Sequence, residues 1–260
     1  MSLRNVSGID LWVEEGGSGG PTLLLMHGLS GTGRIWDGLR PLLDRNWPGR
    51  WIIPDMRGHG RSAHCDRYGI ACHAADMADL VGDAEDLYLA GHSMGGLVGI
   101  LLASGWFGVA PKAVVTSGVK VDWTDEERTG LAKLVDMPVK WFDSEDDARE
   151  RFILVTGLKG VADPASDFAR SGIVEEEGKW RLAADNRAAL VADADTRDIY
   201  AAARAPVVLA AGEHDRMVSA DDLRTLSADA VELPGLGHNA HVEDPAAFWS
   251  LIAQASGEQK

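Results

Sequence analysis

The sequence contains few cysteines and no long hydrophobic run. Cys65 and Cys72 are its only cysteines, which excludes the dense disulfide framework of small secreted proteins. No apolar run approaches the roughly 20 residues that cross a bilayer, and the first residues, Met1 to Asn5, lack the apolar core of a secretion signal. We therefore expect a cytoplasmic protein that does not bind membranes.

Positive charge is also scarce. The 260 residues include 25 Lys and Arg against 40 Asp and Glu, which gives a net charge of −15 and a pI near 4.9. Such a surface repels phosphate backbones and anionic lipids, so nucleic acid and membranes are excluded as expected partners. With 45% hydrophobic and 25% charged residues, the composition is that of an ordinary globular protein. We expect its partner to be a small-molecule substrate.

One cluster of residue types that can bind metals occurs in the sequence. His64 and Cys65 are followed, after a gap of 6 residues, by Cys72 and His73. This spacing does not match the cysteine and histidine spacings of zinc sites. We expect no metal and no other cofactor, and we expect both histidines to lie on the surface.

The segment Leu87–Leu97 carries the clearest functional motif, Gly-His-Ser-Met-Gly, at residues 91–95. The apolar run before the motif predicts a strand, and the small apolar residues after it predict a helix. Where a strand turns directly into a helix, glycines prevent collisions between the two segments and leave the central Ser93 exposed beside helix N–H groups. The pattern indicates a nucleophile. A capping serine in a glycine-rich connection is the structural alternative.

Strands and helices alternate along most of the chain. After a hairpin in residues 1–20, the pattern predicts strands at 22–26, 51–54, 87–90, 112–117, 206–211 and 230–233, with helices at 34–43, 73–81, 94–106, 220–227 and 245–255. Because parallel strands need helical crossovers, this alternation predicts an α/β fold with a doubly wound, mostly parallel sheet. From about residue 119 to 204 the alternation stops, and acidic runs such as Glu175–Glu177 are interpreted as solvated helix faces.

A serine nucleophile needs a histidine base, and the base needs a carboxylate that orients it. His238 lies in a glycine-bounded loop between the last strand and the last helix, and Asp215 follows the strand 206–211 by a short loop. Both loops are expected at the carboxyl edge of the sheet, where Ser93 also emerges. The chain order Ser93, Asp215, His238 is that of one class of triad enzymes.

Several short motifs lie in the predicted core: His27-Gly28, Asp55–Ser62, Gly91–Gly96, Gly212–Asp215, and Gly235–His238 with Glu243–Pro245. In this combination the chain resembles the α/β-hydrolase superfamily, of the serine-nucleophile type with an inserted helical cap. The resemblance implies a hydrolase core at residues 1–118 and 205–260 and a cap at residues 119–204.

The same resemblance implies roles for individual residues. Ser93 is the expected nucleophile, His238 the base and Asp215 the orienting acid. Family position also implies an oxyanion hole formed by the backbone N–H groups of Leu29 and Met94, which would stabilise negative charge beside the serine.

Alternatives for the base and the acid stay open at this point. His241 lies 3 residues after His238 and is a second possible base. Glu213 and Asp122 are other possible acids, the latter because some relatives use the strand end near residue 117. His27 and His59 are interpreted as ordering their loops, and His92 and His214 as walls of the site.

The resulting hypothesis is a hydrolase that cleaves a carboxylic ester or related acyl bond through an acyl-Ser93 intermediate. The same site could instead act on a lactone, thioester, amide or carbon–carbon bond, or have perhydrolase-like activity, because the fold hosts all of these. A slowly hydrolysing small-molecule receptor is the alternative of another class. Aromatic residues suggest an apolar or aromatic substrate pocket, with these candidate lining residues: His27, Trp36, His92, Trp123 and Trp141.

Overall fold

The computed structural model describes residues 1–257, and of Asp193 it describes only the backbone. Its ten strands are β1 (Ser2–Val6), β2 (Ile9–Gly16), β3 (Thr22–Met26), β4 (Arg50–Pro54), β5 (Leu87–His92), β6 (Ala113–Ser117), β7 (Ile173–Glu176), β8 (Lys179–Leu182), β9 (Val207–Gly212) and β10 (Val231–Leu233). Eight of them form one sheet in the order β1-β2-β4-β3-β5-β6-β9-β10. Strands β4, β3, β5, β6, β9 and β10 run parallel, whereas β1 and β2 pair antiparallel. The predicted α/β fold class is confirmed.

The helices are α1 (Arg40–Asn46), α2 (Ile70–Val81), α3 (Met94–Leu102), α4 (Asp125–Val135), α5 (Glu145–Val155), α6 (Asp167–Ser171), α7 (Thr196–Ala202), α8 (Ala220–Arg224), α9 (Ala240–Glu243) and α10 (Pro245–Ser256). Two 3-10 helices span Gly33–Trp36 and Asn186–Asp193. The single helix predicted at 34–43 is wrong: a 3-10 turn precedes α1, which begins only at Arg40, with Pro41 in its first turn. Proline fits there because the first N–H groups of a helix have no intrahelical partner.

The central strands are buried on both faces. In β3, Leu24 and Met26 point into one hydrophobic cluster, whereas Leu23 and Leu25 point into another. Side chains alternate across a strand, so a continuous apolar run supplies both layers at once. Helices α2 and α3 cover the first layer, and α1 and α10 cover the second.

The insert between β6 and β9 is not purely helical, and the interpretation of Glu175–Glu177 as a helix face is wrong. Strands β7 and β8 form an antiparallel hairpin. Its two-residue turn, Glu177-Gly178, has positive φ angles of 52° and 78° at both positions, as in the turns that match the twist of hairpin strands. The cap boundaries at residues 119 and 204 stay a prediction.

The topology places four loops at one edge of the sheet. Leu29 follows β3, Ser93 follows β5, Asp215 follows β9 and His238 follows β10. These strands are parallel, so all four loops leave from their carboxyl ends, where ligands bind in open α/β sheets. Within residues 1–257, none of the helices has the length and hydropathy needed to cross a membrane.

Candidate active site

The turn that carries Ser93 is strained and tightly packed. Ser93 has φ 50° and ψ −116°, a conformation that costs on the order of 1–3 kcal/mol for a residue with a side chain. A Cβ at Gly91 would lie 2.5 Å from the backbone of Gly95, and a Cβ at Gly95 would lie 2.3 Å from the carbonyl oxygen of Met26. Only glycine fits at either position, so the motif forces Ser93 to the tip of the turn.

His238 and Asp215 are in direct contact. The Nδ1 atom of His238 lies 2.9 Å from Oδ2 of Asp215. The side chain of Asp215 is fully buried, and its Oδ1 accepts a hydrogen bond from the Met217 N–H at 2.7 Å. This arrangement places the proton of a neutral His238 on Nδ1 and leaves Nε2 free to accept one.

Two hydrogen bonds hold the His238 loop in place, and a glycine makes room for the His238 ring. The His238 carbonyl accepts a hydrogen bond from Nε2 of His92 at 3.0 Å. The Asn239 side chain donates to the Thr156 carbonyl at 3.1 Å, which ties the loop to the end of α5. At Gly118, a Cβ would lie 2.9 Å from the His238 ring. Neither Asn239 nor Gly118 is among the predicted site residues, although a glycine directly after β6 is a signal for close approach.

The competing acids and base occupy other environments. Asp122 forms an ion pair with Arg197 on the surface, and Glu213 accepts from the Gly235 N–H. His241 is fully buried between aromatic rings, and burial lowers its pKa to about 3, with a contribution from the charge of His238. Among the described side chains, His238 therefore has a carboxylate partner and His241 has none.

The expected oxyanion donors lie next to Ser93. Met94 is the first residue of α3, where backbone N–H groups lack intrahelical partners. Leu29 lies in the turn after β3, and the Cβ of Ser93 is 3.4 Å from the position that a Cβ would take at Gly28 in that turn. Leu29, Ser93 and Met94 line the same cavity.

A cavity of about 1400 Å³ lies between the core loops and the insert. Of the predicted lining residues, His92, Trp123 and Trp141 do line it, as do Ser93 and His238. Much of the remaining wall consists of apolar side chains that the sequence analysis did not single out, among them Leu97, Leu131, Leu134, Val135, Met137, Val139, Phe142, Leu154 and Val161.

The wall of the cavity does not include two of the predicted lining residues, His27 and Trp36. Trp36 is fully buried and packs on His241 and Phe248 beneath the site. His27 is also fully buried, and its pKa falls to about 4 because of burial. Its Nδ1–H donates to the Gly28 carbonyl at 2.8 Å, and its Nε2 accepts from the Met56 N–H at 2.9 Å. His27 thus joins two loops, as the alternative interpretation of it expected.

The cysteine and histidine cluster does not converge. Cys65 and Cys72 are free thiols, and His64 donates to the Ala183 carbonyl at 2.8 Å. His73 is fully buried, so its predicted surface position is wrong. Within residues 1–257, no group of three His, Cys, Asp or Glu side chains is arranged to hold a metal ion.

The model of the Alpha/beta hydrolase family matches residues 23–251 of the chain. This chain belongs to the α/β-hydrolase family. The match includes the β5 turn with Ser93 and the loops with Asp215 and His238, so the fold expected from the five motifs is confirmed.

Several curated proteins are similar to this α/β-hydrolase. The chain is 37% identical over 105 residues to the magnesium-chelatase 30 kDa subunit of Rhodobacter capsulatus, covering 38% of this chain and 36% of that one. It is 31% identical over 160 residues to the lipase LipV of Mycobacterium tuberculosis, covering 60% and 58%. It is 29% identical over 255 residues to the 2-succinyl-6-hydroxy-2,4-cyclohexadiene-1-carboxylate synthase of Enterobacter sp. (strain 638), covering 92% of this chain and 93% of that one.

Solved structures share the fold of this α/β-hydrolase. The thioesterase domain from the curacin biosynthetic pathway superposes with a TM-score of 0.79 over 96% of this chain and 98% of that one, at 20% identity. At that identity the superposition supports the fold and leaves the substrate undefined.

Proposed function

We propose that this α/β-hydrolase cleaves carboxylic esters, or closely related acyl bonds, through a covalent acyl-Ser93 intermediate. The hydrogen bond between His238 and Asp215, on the wall of the cavity that Ser93 also lines, carries the proposal. A half-buried serine on the cavity wall, a histidine with a free Nε2 and a buried carboxylate are the parts that acyl transfer by serine needs.

In the proposed first half-reaction, Ser93 Oγ attacks the acyl carbon while His238 Nε2 takes the hydroxyl proton. Asp215 stabilises the imidazolium that forms and keeps the ring in the productive tautomer. The N–H groups of Leu29 and Met94 would bind the oxyanion of the tetrahedral intermediate, a contribution typically worth about 100- to 1000-fold in turnover per donor. His238 then returns the proton to the leaving alcohol.

In the second half-reaction, a water molecule attacks the acyl-serine. His238 removes a proton from that water, the second tetrahedral intermediate collapses, and the proton passes to Ser93 as the acid product leaves. Both halves use the same groups, so no cofactor takes part in the proposed cycle.

The apolar wall of the cavity supports a substrate with an apolar acyl chain or an aromatic group. Trp123 and Trp141 line it together with aliphatic residues of α4 and of the segment before α5. A pocket of this kind binds by removing apolar surface from water and uses a few polar groups for orientation.

A second candidate uses the same triad for a reaction that is not acyl transfer. It is favoured by the full-length relative, which is named a synthase, 2-succinyl-6-hydroxy-2,4-cyclohexadiene-1-carboxylate synthase, and not a hydrolase. In such a reaction His238 would act as the base without an acyl-serine. The two candidates therefore differ in whether Ser93 becomes acylated.

The experiment is hydrolysis of p-nitrophenyl butyrate by the wild-type protein and by Ser93→Ala. We expect the variant to lose on the order of a million-fold in kcat. Ser30→Ala is the matched control, because Ser30 also lines the cavity but lies outside the proposed triad. Full activity in Ser93→Ala would remove Ser93 from the mechanism, and a wild-type rate equal to that of buffer would reject ester hydrolysis.

A further inference from the structure

The wall of the active-site cavity has the opposite charge to the rest of the protein. It includes seven Lys or Arg side chains and three Asp or Glu side chains, for a net charge of +4. The whole chain carries −15, so the residues outside the cavity carry −19. A cleft with low-dielectric walls and one sign of charge concentrates ligands of the opposite charge.

Three of the seven cations are neutralised locally. Lys120 pairs with Glu127 at 2.8 Å. Arg181 pairs with Glu176, and Arg187 pairs with Asp185 at 2.7 Å. These three cations are therefore assigned to structural ion pairs and not to ligand binding.

The other four cations have no carboxylate within 4.0 Å among the described side chains. They are Lys140, Arg151, Lys159 and Arg216. Lys140 lies over the ring of Phe142, with Nζ 4.9 Å from the ring centroid. All four side chains are exposed, so their N–H donors are available to an anion that enters the cavity.

Two of these cations belong to segments that hold the proposed triad. Arg216 directly follows Asp215, and its loop is fixed by the hydrogen bond from the Met217 N–H to Asp215 at 2.7 Å. Lys159 follows Gly157, whose carbonyl and that of Thr156 accept from the Asn239 side chain next to His238. Arg151 lies on α5, in the same part of the insert as Lys159.

We infer that the natural substrate is an anionic acyl compound, whose carboxylate or phosphate group is bound by Arg216, Lys159 and Arg151 while its acyl carbon meets Ser93. This inference rests on the proposed function, because it adds a charged group to the acyl substrate proposed there. The apolar wall then holds the chain between the reacting bond and the anion. Guanidinium and ammonium groups donate charge-assisted hydrogen bonds to either kind of anion.

The first test compares matched esters. The mono-p-nitrophenyl ester of adipic acid carries a terminal carboxylate on the acyl chain, whereas p-nitrophenyl hexanoate has a neutral chain of the same length. A second pair places the charge on the leaving group: 4-acetoxybenzenesulfonate against p-nitrophenyl acetate. Each kcat/KM is divided by the rate of the same ester with hydroxide, and Ser93→Ala supplies the background.

We expect the anionic member of at least one pair to have a kcat/KM about tenfold higher at low salt, with the advantage falling as ionic strength rises. The pair that shows the effect tells whether the charge belongs to the acyl chain or to the leaving group. In Arg216→Gln and in Lys159→Gln the ratio of anionic to neutral rates should fall about three- to tenfold. Arg45→Gln is the control, since Arg45 is also exposed and unpaired among the described side chains but does not line the cavity.

A binding measurement separates this inference from the proposed function. Isothermal titration calorimetry with adipate needs no turnover, and it should give weaker binding to the double variant Arg216→Gln with Lys159→Gln than to the wild type. Equal binding to both proteins, or Ser93-dependent hydrolysis with no preference for either anionic ester, overturns the inference and leaves ester hydrolysis standing. If no ester is hydrolysed yet adipate binds as predicted, the proposed function fails and the anion site survives.

Discussion

Helices α3 and α4 border the same cavity but have different surroundings. Every residue of α3 is buried, from Met94 to Leu102, whereas no residue of α4 is buried. Helix α3 is therefore fixed by packing on all sides, and it holds the N–H of Met94 next to Ser93. Helix α4 is stabilised at its start by a capping box between Thr124 and Glu127, and its apolar side chains face the cavity.

Because α3 is buried and α4 is exposed, we expect the core and the insert to have different roles. Burial in the core fixes atoms to within the small tolerances that the proposed acyl transfer needs. In the insert, large apolar residues stay partly exposed, as Met137, Val139, Trp141, Leu154 and Val161 do, and they line the cavity. The core is thus expected to set the chemistry and the insert to set the choice of substrate.

The largest effect is expected for a core residue of the proposed triad. Asp215→Asn removes the charge that stabilises the His238 imidazolium and permits the wrong tautomer, so kcat/KM for p-nitrophenyl butyrate should fall on the order of ten-thousand-fold. Asp122→Asn is the matched control, because Asp122 pairs with Arg197 on the surface. A larger loss in Asp122→Asn than in Asp215→Asn would reverse the assignment of the acid.

The next prediction compares one glycine in each region. Gly95→Ala puts a methyl group 2.3 Å from the carbonyl of Met26, which should destabilise the protein by about 3 kcal/mol or more. Gly130→Ala in α4 meets no atom within 4 Å and should stabilise by about 0.5–1 kcal/mol, because alanine favours helix. Urea unfolding followed by far-UV circular dichroism measures both. Changes of the same sign would contradict the contrast between packed and open helices.

The pH dependence of stability between pH 8 and pH 5.5 is also expected to lie in the core, because histidine titrates in this range and all eight histidines lie outside residues 119–204. His241 has both ring nitrogens buried without a hydrogen-bond partner among the described residues, and burial lowers its pKa from 6.5 to about 3. Between pH 3 and pH 6.5, His241 therefore binds a proton more readily in the unfolded chain than in the folded protein. The stability from neutral His241 is present above pH 6.5 and lost as the pH falls toward 3.

His241→Leu should remove this dependence. The loss of unfolding free energy between pH 8 and pH 5.5 should be smaller in the variant by about 1.4 kcal/mol. His214→Gln, at an exposed position, is the control and should follow the wild-type curve. An unchanged pH dependence in His241→Leu would show that its ring is not kept neutral by the fold.

The smallest effect is expected for a single aromatic residue of the insert. Trp141→Ala removes an apolar contact from the cavity wall, so kcat/KM for p-nitrophenyl hexanoate should fall about three- to tenfold relative to the acetate ester. The unfolding free energy should stay within about 0.5 kcal/mol of the wild type, because Trp141 is 42% exposed. The control is Trp106→Ala, because Trp106 is an exposed tryptophan of the hydrolase core that does not line the cavity. A loss of stability without a change in chain-length preference would make Trp141 structural.

The core could be predicted well from the sequence because its signals are local. The run Thr22–Met26 is apolar throughout and coincides with β3, since both of its faces are buried. The Gly91–Gly95 motif likewise determines its own strained turn, and the chain order of Ser93, Asp215 and His238 indicates which loops share an edge.

The insert and the second layer of the site depend on distant contacts that no local pattern contains. The β7–β8 hairpin was missed because its exposed glutamates resemble a helix surface, and its stabilising bridge runs to Phe142 far away in sequence. Trp36 follows the β3 loop in sequence, as a lining residue could, but its ring packs beneath the site on His241. Whether an aromatic side chain lines a cavity or fills a core is decided by tertiary packing.

The most direct test of the account is to trap the covalent intermediate. The protein is mixed with p-nitrophenyl butyrate, quenched in acid during turnover, digested and examined by mass spectrometry. We expect one butyryl group on the peptide that contains Ser93, and none on that peptide in Ser93→Ala. Steady turnover with no acyl group on Ser93 at any quench time, together with full activity in Ser93→Ala, would contradict it.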